Sequence, residues 1–231
     1  AFESRFGFPL LEAWAMTETG AGAVVIANRE QRHVGTNCFG RPEPSVDIRI
    51  EPQDNELLVR AAGADPRAGF FSEYLKDPEA TEAAWSGGWF HTGDIVRADA
   101  DGALYFVDRK KNIVRRSGEN ISAAEVETIL RRHPLVAEVA VAAAPDDTRG
   151  EEVLACIVPR APVAEPTETA AGIVRAALTD LSYFKVPGWI VFVDTLPLTA
   201  SQKVARGELK AMAQRLLAEG ACTDTRSLKR R

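Results

Sequence analysis

Two polar clusters joined by one short hairpin constrain this chain more than any other feature of it. The first is Gly88-Trp89-Phe90-His91-Thr92-Gly93-Asp94. The second opens on Val107-Asp108-Arg109-Lys110-Lys111-Asn112-Ile113 and continues in Ser117-Gly118-Glu119-Asn120-Ile121. Between them, Ile95-Val96-Arg97 and Ala103-Leu104-Tyr105-Phe106-Val107 flank Asp101-Gly102, a pair that tolerates the positive φ of tight hairpin turns. The hairpin sets Asp94 and Arg109 at two ends of one ribbon. A carboxylate and a guanidinium held in this way suit a ligand that carries sugar hydroxyls and phosphate.

The pattern on either side of the clusters differs. Residues 21 to 107 read as β-rich: Val24-Val25-Ile26 is a short apolar run, and Val46 to Ile50 alternates with the period of a half-buried strand. Glu56 to Arg60 follows as another strand, after a turn at Asp54-Asn55. Asp77 to Trp85 has a helix start, with Asp77 as N-cap and Pro78 at the first helical position. Beyond Lys111 strands and helices alternate. Ser122 and Glu125 have capping-box spacing, Val126, Ile129 and Leu130 form an apolar stripe, and Pro134 ends that helix near His133. Strands are expected over Val136 to Ala144, Val153 to Val158 and Trp189 to Val193, and helices over Glu168 to Leu181 and Val204 to Leu217. The polar, basic tail from Thr223 is expected to fray. The fold class is therefore mixed α+β: the end of a larger domain over 1–108, β-rich from about residue 21, then a small α+β domain over 109–231.

Composition narrows the function. A net charge of -5 argues against a general nucleic-acid binder, whose phosphate contacts need a basic surface. No run of eighteen apolar residues exists, so no membrane span is expected, and Ala1 to Phe6 lack the apolar core of a signal peptide. Cys38, Cys156 and Cys222 are widely spaced and odd in number, which fits a reducing, cytoplasmic setting without a disulfide framework or metal spacing. The segment Phe6 to Trp14 reads as the middle of a domain, so the chain is expected to be a fragment of a longer protein.

Four motifs occur in order: Trp14-Ala15-Met16-Thr17-Glu18-Thr19, Gly88 to Asp94, Asp108 to Ile121, and Pro197-Leu198-Thr199-Ala200-Ser201-Gln202-Lys203. Together they resemble the later motifs of the adenylate-forming (AMP-binding) superfamily, and within it the acyl-CoA ligases of the crotonobetaine/carnitine kind. The phrase Gly-Trp-Phe-His-Thr-Gly-Asp and the stretch Arg116 to Glu127 are the nearest matches. The resemblance implies an AMP-forming acid–thiol ligase in two half-reactions. A carboxylic acid attacks the α-phosphorus of ATP, giving an acyl-adenylate and pyrophosphate, and the thiol of CoA then displaces AMP.

The resemblance also implies roles for single residues. Thr17 contacts the α-phosphate and Glu18 holds Mg²⁺, a hard cation that prefers carboxylate oxygen. Taken alone, Thr17 reads equally well as a helix cap. Trp14 stands where Tyr stacks on adenine, with a core aromatic as the plainer reading. Asp94 accepts both ribose hydroxyls and Arg109 reaches ribose and phosphate. Lys111 is the hinge about which the C-terminal domain rotates between half-reactions. Gly118 lies on the loop that approaches the pantetheine arm of CoA. Arg115 falls where some relatives carry a lysine used in thioester formation, and no catalytic role is assigned to it. Lys203 bridges the substrate carboxylate and phosphate, preceded here by Gln202 where glycine is common. His91, without a Cys or His partner, reads as structural.

The Ser/Thr/Gly-rich phosphate loop of such enzymes is not found in these residues, so little or no ligase activity is expected of them alone. The partners implied are a small carboxylic acid, CoA and the missing N-terminal portion. Two other readings share the motifs: an adenylation domain that loads a carrier-protein thiol, and a non-catalytic module that binds nucleotide or a partner.

Overall fold

The computed structural model of the chain describes residues 2–20, 26–29 and 33–229. The chain divides into two compact units, Ala1–Lys110 and Lys111–Arg231. The division falls two residues beyond the expected end of the first domain. Arg109 completes a strand, and the Lys110 ammonium is ion-paired to Asp54 and Glu56 of the first unit.

The first unit contains α1 (Phe2–Phe6), β1 (Ala13–Trp14), β2 (Ile26–Ala27), β3 (Cys38–Pro42), β4 (Val46–Ile50), β5 (Glu56–Ala61), α2 (Pro78–Ala84), β6 (Phe90–Ala98) and β7 (Leu104–Arg109). Among the described residues these strands make one antiparallel sheet in the order β1-β2-β3-β7-β6-β5-β4. Its core gathers Trp14, Ile26, Phe39, Leu57, Val59, Trp85, Phe90, Val96 and Leu104. Helix α2 starts as its sequence dictates: Pro78 takes the first position and Asp77 Oδ1 accepts the Ala80 N–H at 2.9 Å. Val24 and Val25 of the early apolar run lie outside the described residues.

The hairpin between the polar clusters forms, but not around a two-residue Asp-Gly turn. Ala98 pairs with Leu104, leaving a five-residue loop, 99–103. Asp99 organises it: its Oδ1 accepts the N–H groups of Asp101 at 3.0 Å and Ala103 at 2.9 Å, and its Oδ2 takes the Tyr105 hydroxyl at 3.0 Å. A side chain that caps three donors at once decides the loop length over the turn preference of Asp-Gly.

The second unit contains β8 (Ile113–Arg116), β9 (Glu119–Ser122), α3 (Ala123–Leu130), β10 (Val136–Asp146), β11 (Gly150–Pro159), α4 (Pro166–Ala177), β12 (Trp189–Phe192), α5 (Arg206–Ala218) and β13 (Thr223–Asp224). The long β10–β11 pair is its backbone, and its alternation sorts the side chains between two faces. Val139, Val141, Val153 and Ile157 pack with Val126 and Leu130 of α3 and Ile173 and Val174 of α4. Ala140, Ala142, Leu154 and Cys156 point the other way and meet Leu209 and Ala213 of α5. Ser122 caps α3, accepting the Glu125 N–H at 3.1 Å, while the Glu125 carboxylate is held by Lys185 at 2.7 Å. Helix α4 begins two residues before the expected Glu168, because Pro166 occupies its first position, and gives way to turns after Ala177. Helix α5 starts at Arg206 rather than Val204, which is instead bridged to Leu198.

Over its described residues, 223–229, the tail is not frayed. Thr223 and Asp224 form β13 on the edge of β12, Thr225 is buried and its hydroxyl donates to the Pro187 carbonyl at 2.8 Å. The Lys229 side chain is 2% exposed and ion-paired to the fully buried Glu152, which also receives Arg116 Nε at 2.8 Å. Polar composition concealed this, because a buried lysine is legible only once its carboxylate partner is placed. No helix among the described residues is long and apolar enough to cross a membrane.

Candidate functional site

The register of β6 and β7 sets Asp94 directly opposite Arg109. Asp94 is 1% exposed, and two neighbours hold its carboxylate from different sides. The Trp14 indole N–H donates to Oδ2 at 2.8 Å, and Arg109 Nε lies 2.7 Å from Oδ1. The Arg109 contact is an ion pair without hydrogen-bond alignment, so Oδ1 is buried and has no hydrogen-bond donor. Thr92 fixes the backbone beneath: its hydroxyl donates to the Leu57 carbonyl at 2.6 Å and accepts the Asp94 N–H at 3.0 Å. Arg109 Nη1 donates to the Thr92 carbonyl at 3.3 Å, which steers the half-exposed guanidinium. Burial pushes the Asp94 carboxyl above its ordinary value, more than the Trp14 bond and the Arg109 charge pull it down.

These groups line a cleft of about 300 Å³ bounded by Glu12, Ala13, Trp14, Ala15, Asn37, Phe39, Asp94, Phe106 and Arg109. Three residues singled out in the sequence, Trp14, Asp94 and Arg109, therefore meet in one place. Trp14 is 7% exposed and belongs to the core, so the core aromatic and the cleft wall are the same residue. A cavity of about 280 Å³ lined by Asn28, Cys38, Arg41 and Glu43 is comparable in size but holds none of the motif residues.

Thr17 and Glu18 sit on the short 3-10 turn Thr17–Thr19 and are not among the residues lining the cleft. Thr17 does not cap that turn; Thr19 does, its hydroxyl donating to the Met16 carbonyl at 3.0 Å and accepting the Met16 N–H at 3.2 Å. Glu18 is partly buried and its Oε1 accepts the Tyr74 hydroxyl at 3.0 Å. Among the described residues no group of three or more His, Cys, Asp or Glu could hold a metal. A single oriented carboxylate is nevertheless a donor set that fits Mg²⁺, which takes one or two carboxylates and completes its shell with substrate phosphates and water.

The other candidates belong to the second unit. Lys111 lies exposed in the turn Lys110–Asn112. Gly118, with φ 85°, and Ser117, with φ 51°, form the two-residue turn between β8 and β9, where Arg116 pairs with Glu119. Positive φ at both positions is the geometry of a type I′ turn and explains the glycine. The Ser117 N–H donates to the Arg149 carbonyl at 2.9 Å, which fixes the turn against the start of β11. Lys203 is exposed, and its loop is closed by Thr199: the Thr199 N–H reaches the Lys203 carbonyl at 2.7 Å and the Thr199 hydroxyl accepts the Lys203 N–H at 3.2 Å. Gln202 has φ 60°, the left-handed conformation that glycine adopts without strain. Among the described residues the Lys203 ammonium has no ion-pair partner.

Sequence reasoning missed Glu56 and Tyr74 and treated Lys110 and His91 as background. The signal for Glu56 was weak, since it read only as the first residue of a strand.

Residues 125–203 match the AMP-binding enzyme C-terminal domain. A probable CoA ligase of Humulus lupulus is 35% identical over 228 residues, covering 94% of this chain and 41% of that protein. The crotonobetaine/carnitine–CoA ligase of Proteus mirabilis is 34% identical over 217 residues, covering 91% of this chain and 41% of its own length. Among solved structures, o-succinylbenzoate CoA synthetase of Bacillus subtilis, in complex with its acyl-adenylate intermediate, matches with a TM-score of 0.73 at 31% identity, over 90% of this chain and 42% of that one. The chain thus spans about 41% of the length of the curated relatives it matches.

Proposed function

We propose that this chain, which belongs to the adenylate-forming enzymes and carries their AMP-binding C-terminal domain, is the C-terminal portion of an ATP-dependent acyl-CoA ligase. The observation that carries the reading is the Asp94 site. A fully buried carboxylate with one oxygen that has no hydrogen-bond donor faces a cleft wide enough for a ribose, beside a guanidinium suited to phosphate.

In this reading Asp94 accepts the ribose hydroxyls, and Trp14 both holds Asp94 and offers an aromatic wall to adenine. Arg109 reaches from ribose to phosphate. Thr17 donates to the α-phosphate, and Glu18, set by Tyr74, would hold Mg²⁺. When bound, Mg²⁺ would neutralise phosphate charge. Lys203 supplies an exposed ammonium where the incoming carboxylate and the phosphate must approach despite like charge. Lys111 is the hinge, and the Gly118 turn is the part that comes close to the CoA arm. The phosphate loop and the acyl pocket belong to a preceding portion of the same polypeptide, so the 231 residues alone carry little ligase activity. The three free cysteines are compatible with a cytoplasmic setting.

The test is binding of AMP or a non-hydrolysable acyl-adenylate analogue to the chain and to its Asp94→Ala variant. We expect at least a tenfold loss of affinity in the variant, in the range of one lost charged hydrogen-bonding site. Equal affinity would mean that the cleft is not the nucleotide site and would favour a partner-binding module. CoA and a phosphopantetheinylated carrier protein, offered to the longer polypeptide, separate the ligase from a carrier-loading enzyme.

A further inference from the structure

Glu56 is a second buried carboxylate in the first unit, and the nucleotide reading gives it no role. It opens β5, its side chain is 3% exposed, and each of its oxygens is taken. Oε1 accepts the Gly93 N–H at 2.9 Å. Oε2 lies 2.7 Å from Lys110 Nζ and 3.2 Å from His91 Nδ1. Lys110 is held a second time, 2.8 Å from Asp54 Oδ2. One carboxylate therefore ties the amide just before Asp94 to the ammonium just after Arg109.

The backbone is shaped to allow this. The β5–β6 register shifts between Glu56 and Leu58, and the β6–β7 register shifts between Ile95 and Val96. Two irregularities side by side re-aim side chains at a sheet position where regular pairing would continue unbroken. Burial would push the Glu56 carboxyl up, but Lys110, the Gly93 amide and His91 together hold it below its ordinary value. A packed apolar residue here would hold the sheet without the cost of desolvating a charge. What an apolar residue could not do is fix Lys110, the last residue of the first unit.

We propose that Glu56 is a positioning residue that anchors Lys110 and so fixes the first-unit side of the pivot at Lys111, controlling the second half-reaction rather than the first. This rests on the ligase reading above. The cleft keeps Trp14, Asp94 and Arg109 whether or not Lys110 is anchored, and in the ligase reading Lys203 acts before the rotation about Lys111, so adenylate formation is insensitive to the anchor. Rotation about Lys111 needs a defined fixed point next to it, so thioester formation is sensitive.

The experiment uses the longer polypeptide that contains this chain. Glu56→Gln keeps an acceptor for the Gly93 amide and removes the charge that holds Lys110. We expect pyrophosphate exchange within about twofold of the parent and an unchanged KM for ATP. Thioester formation from preformed acyl-adenylate should slow about tenfold. Lys110→Met, at a half-exposed position that keeps the fold should Glu56→Gln not, should reproduce the effect, and Lys110→Arg should restore most of the rate. The double variant should be no worse than either single one. Equal losses in both half-reactions, or additive losses in the double variant, would overturn the proposal and leave Glu56 a stabilising residue only. Amide hydrogen exchange supplies a readout independent of turnover: exchange at residues 110–112 should rise at least fivefold in Glu56→Gln. Unchanged exchange refutes the anchor even if the ligase reading stands. A parent protein that forms no adenylate refutes that reading while exchange still decides the anchor.

Discussion

The two charged groups on which the proposed chemistry turns are held in opposite ways. Asp94 in the first unit is buried and met by an indole N–H and a guanidinium, over a threonine that braces its backbone. Lys203 in the second unit stands exposed on a loop that is closed by backbone and hydroxyl contacts, with its ammonium free of ion pairs among the described residues. A group that must receive a ligand in one geometry gains from a shell that fixes it before the ligand arrives. A group that must neutralise charge only while two anions meet gains from being solvated and unpaired beforehand, because no existing partner then has to be displaced.

Removal of each group should therefore have a different signature. Lys203→Ala should lower adenylate formation in the longer polypeptide by about 10²–10³-fold, the scale of one lost electrostatic contact to the transition state, with no change in melting temperature. A fall in stability as large as that in activity would break the contrast. Asp94→Ala should do the reverse in part. Besides weakening nucleotide binding, it strands the buried Trp14 N–H and removes the Arg109 ion pair, and urea unfolding of the chain should report a loss of about 1–3 kcal/mol.

Lys229 sharpens the comparison inside the second unit, since it is the buried counterpart of Lys203. Burial lowers its pKa to about 8 from an ordinary 10.5, against the pull of Glu152. Between those values the unfolded chain holds more protons than the folded one, so stability should rise with pH across that window. Denaturation midpoints measured from pH 7 to 11 should show the rise in the parent and a flatter curve in Lys229→Met. A rise of equal size in the variant would assign it to other groups. The smallest effect concerns the loop itself. Gln202→Gly removes left-handed strain but adds chain entropy to the unfolded state, so net stability should shift by less than about 1 kcal/mol.

The Asp94–Arg109 pair was legible in the sequence because a hairpin makes distant positions local: two runs of β-formers about a turn bring their outer ends together whatever the loop length. Helix α2 was legible for a similar reason, since Asp77 and Pro78 act on their immediate neighbours. The failures share the opposite cause. Glu56 reaches Lys110 across 54 positions and Glu152 reaches Lys229 across 77, and no local pattern encodes such partners. Strand β3 was missed because Gly40 and Pro42 break its alternation, and β13 because it is two residues long and exists only on the edge of β12. Thr19 displaced Thr17 as the capping side chain, a choice that depends on which hydroxyl faces the Met16 backbone.

The cysteines have a practical consequence. Cys38 is fully buried, and burial raises the Cys156 thiol to about 12 and the Cys222 thiol to about 11. Maleimide dyes react with thiolates, so at neutral pH the last two should label sluggishly and the first is shielded by its neighbours. A single cysteine introduced at exposed Ser201, two residues before Lys203, would then take a fluorophore selectively on the otherwise native background.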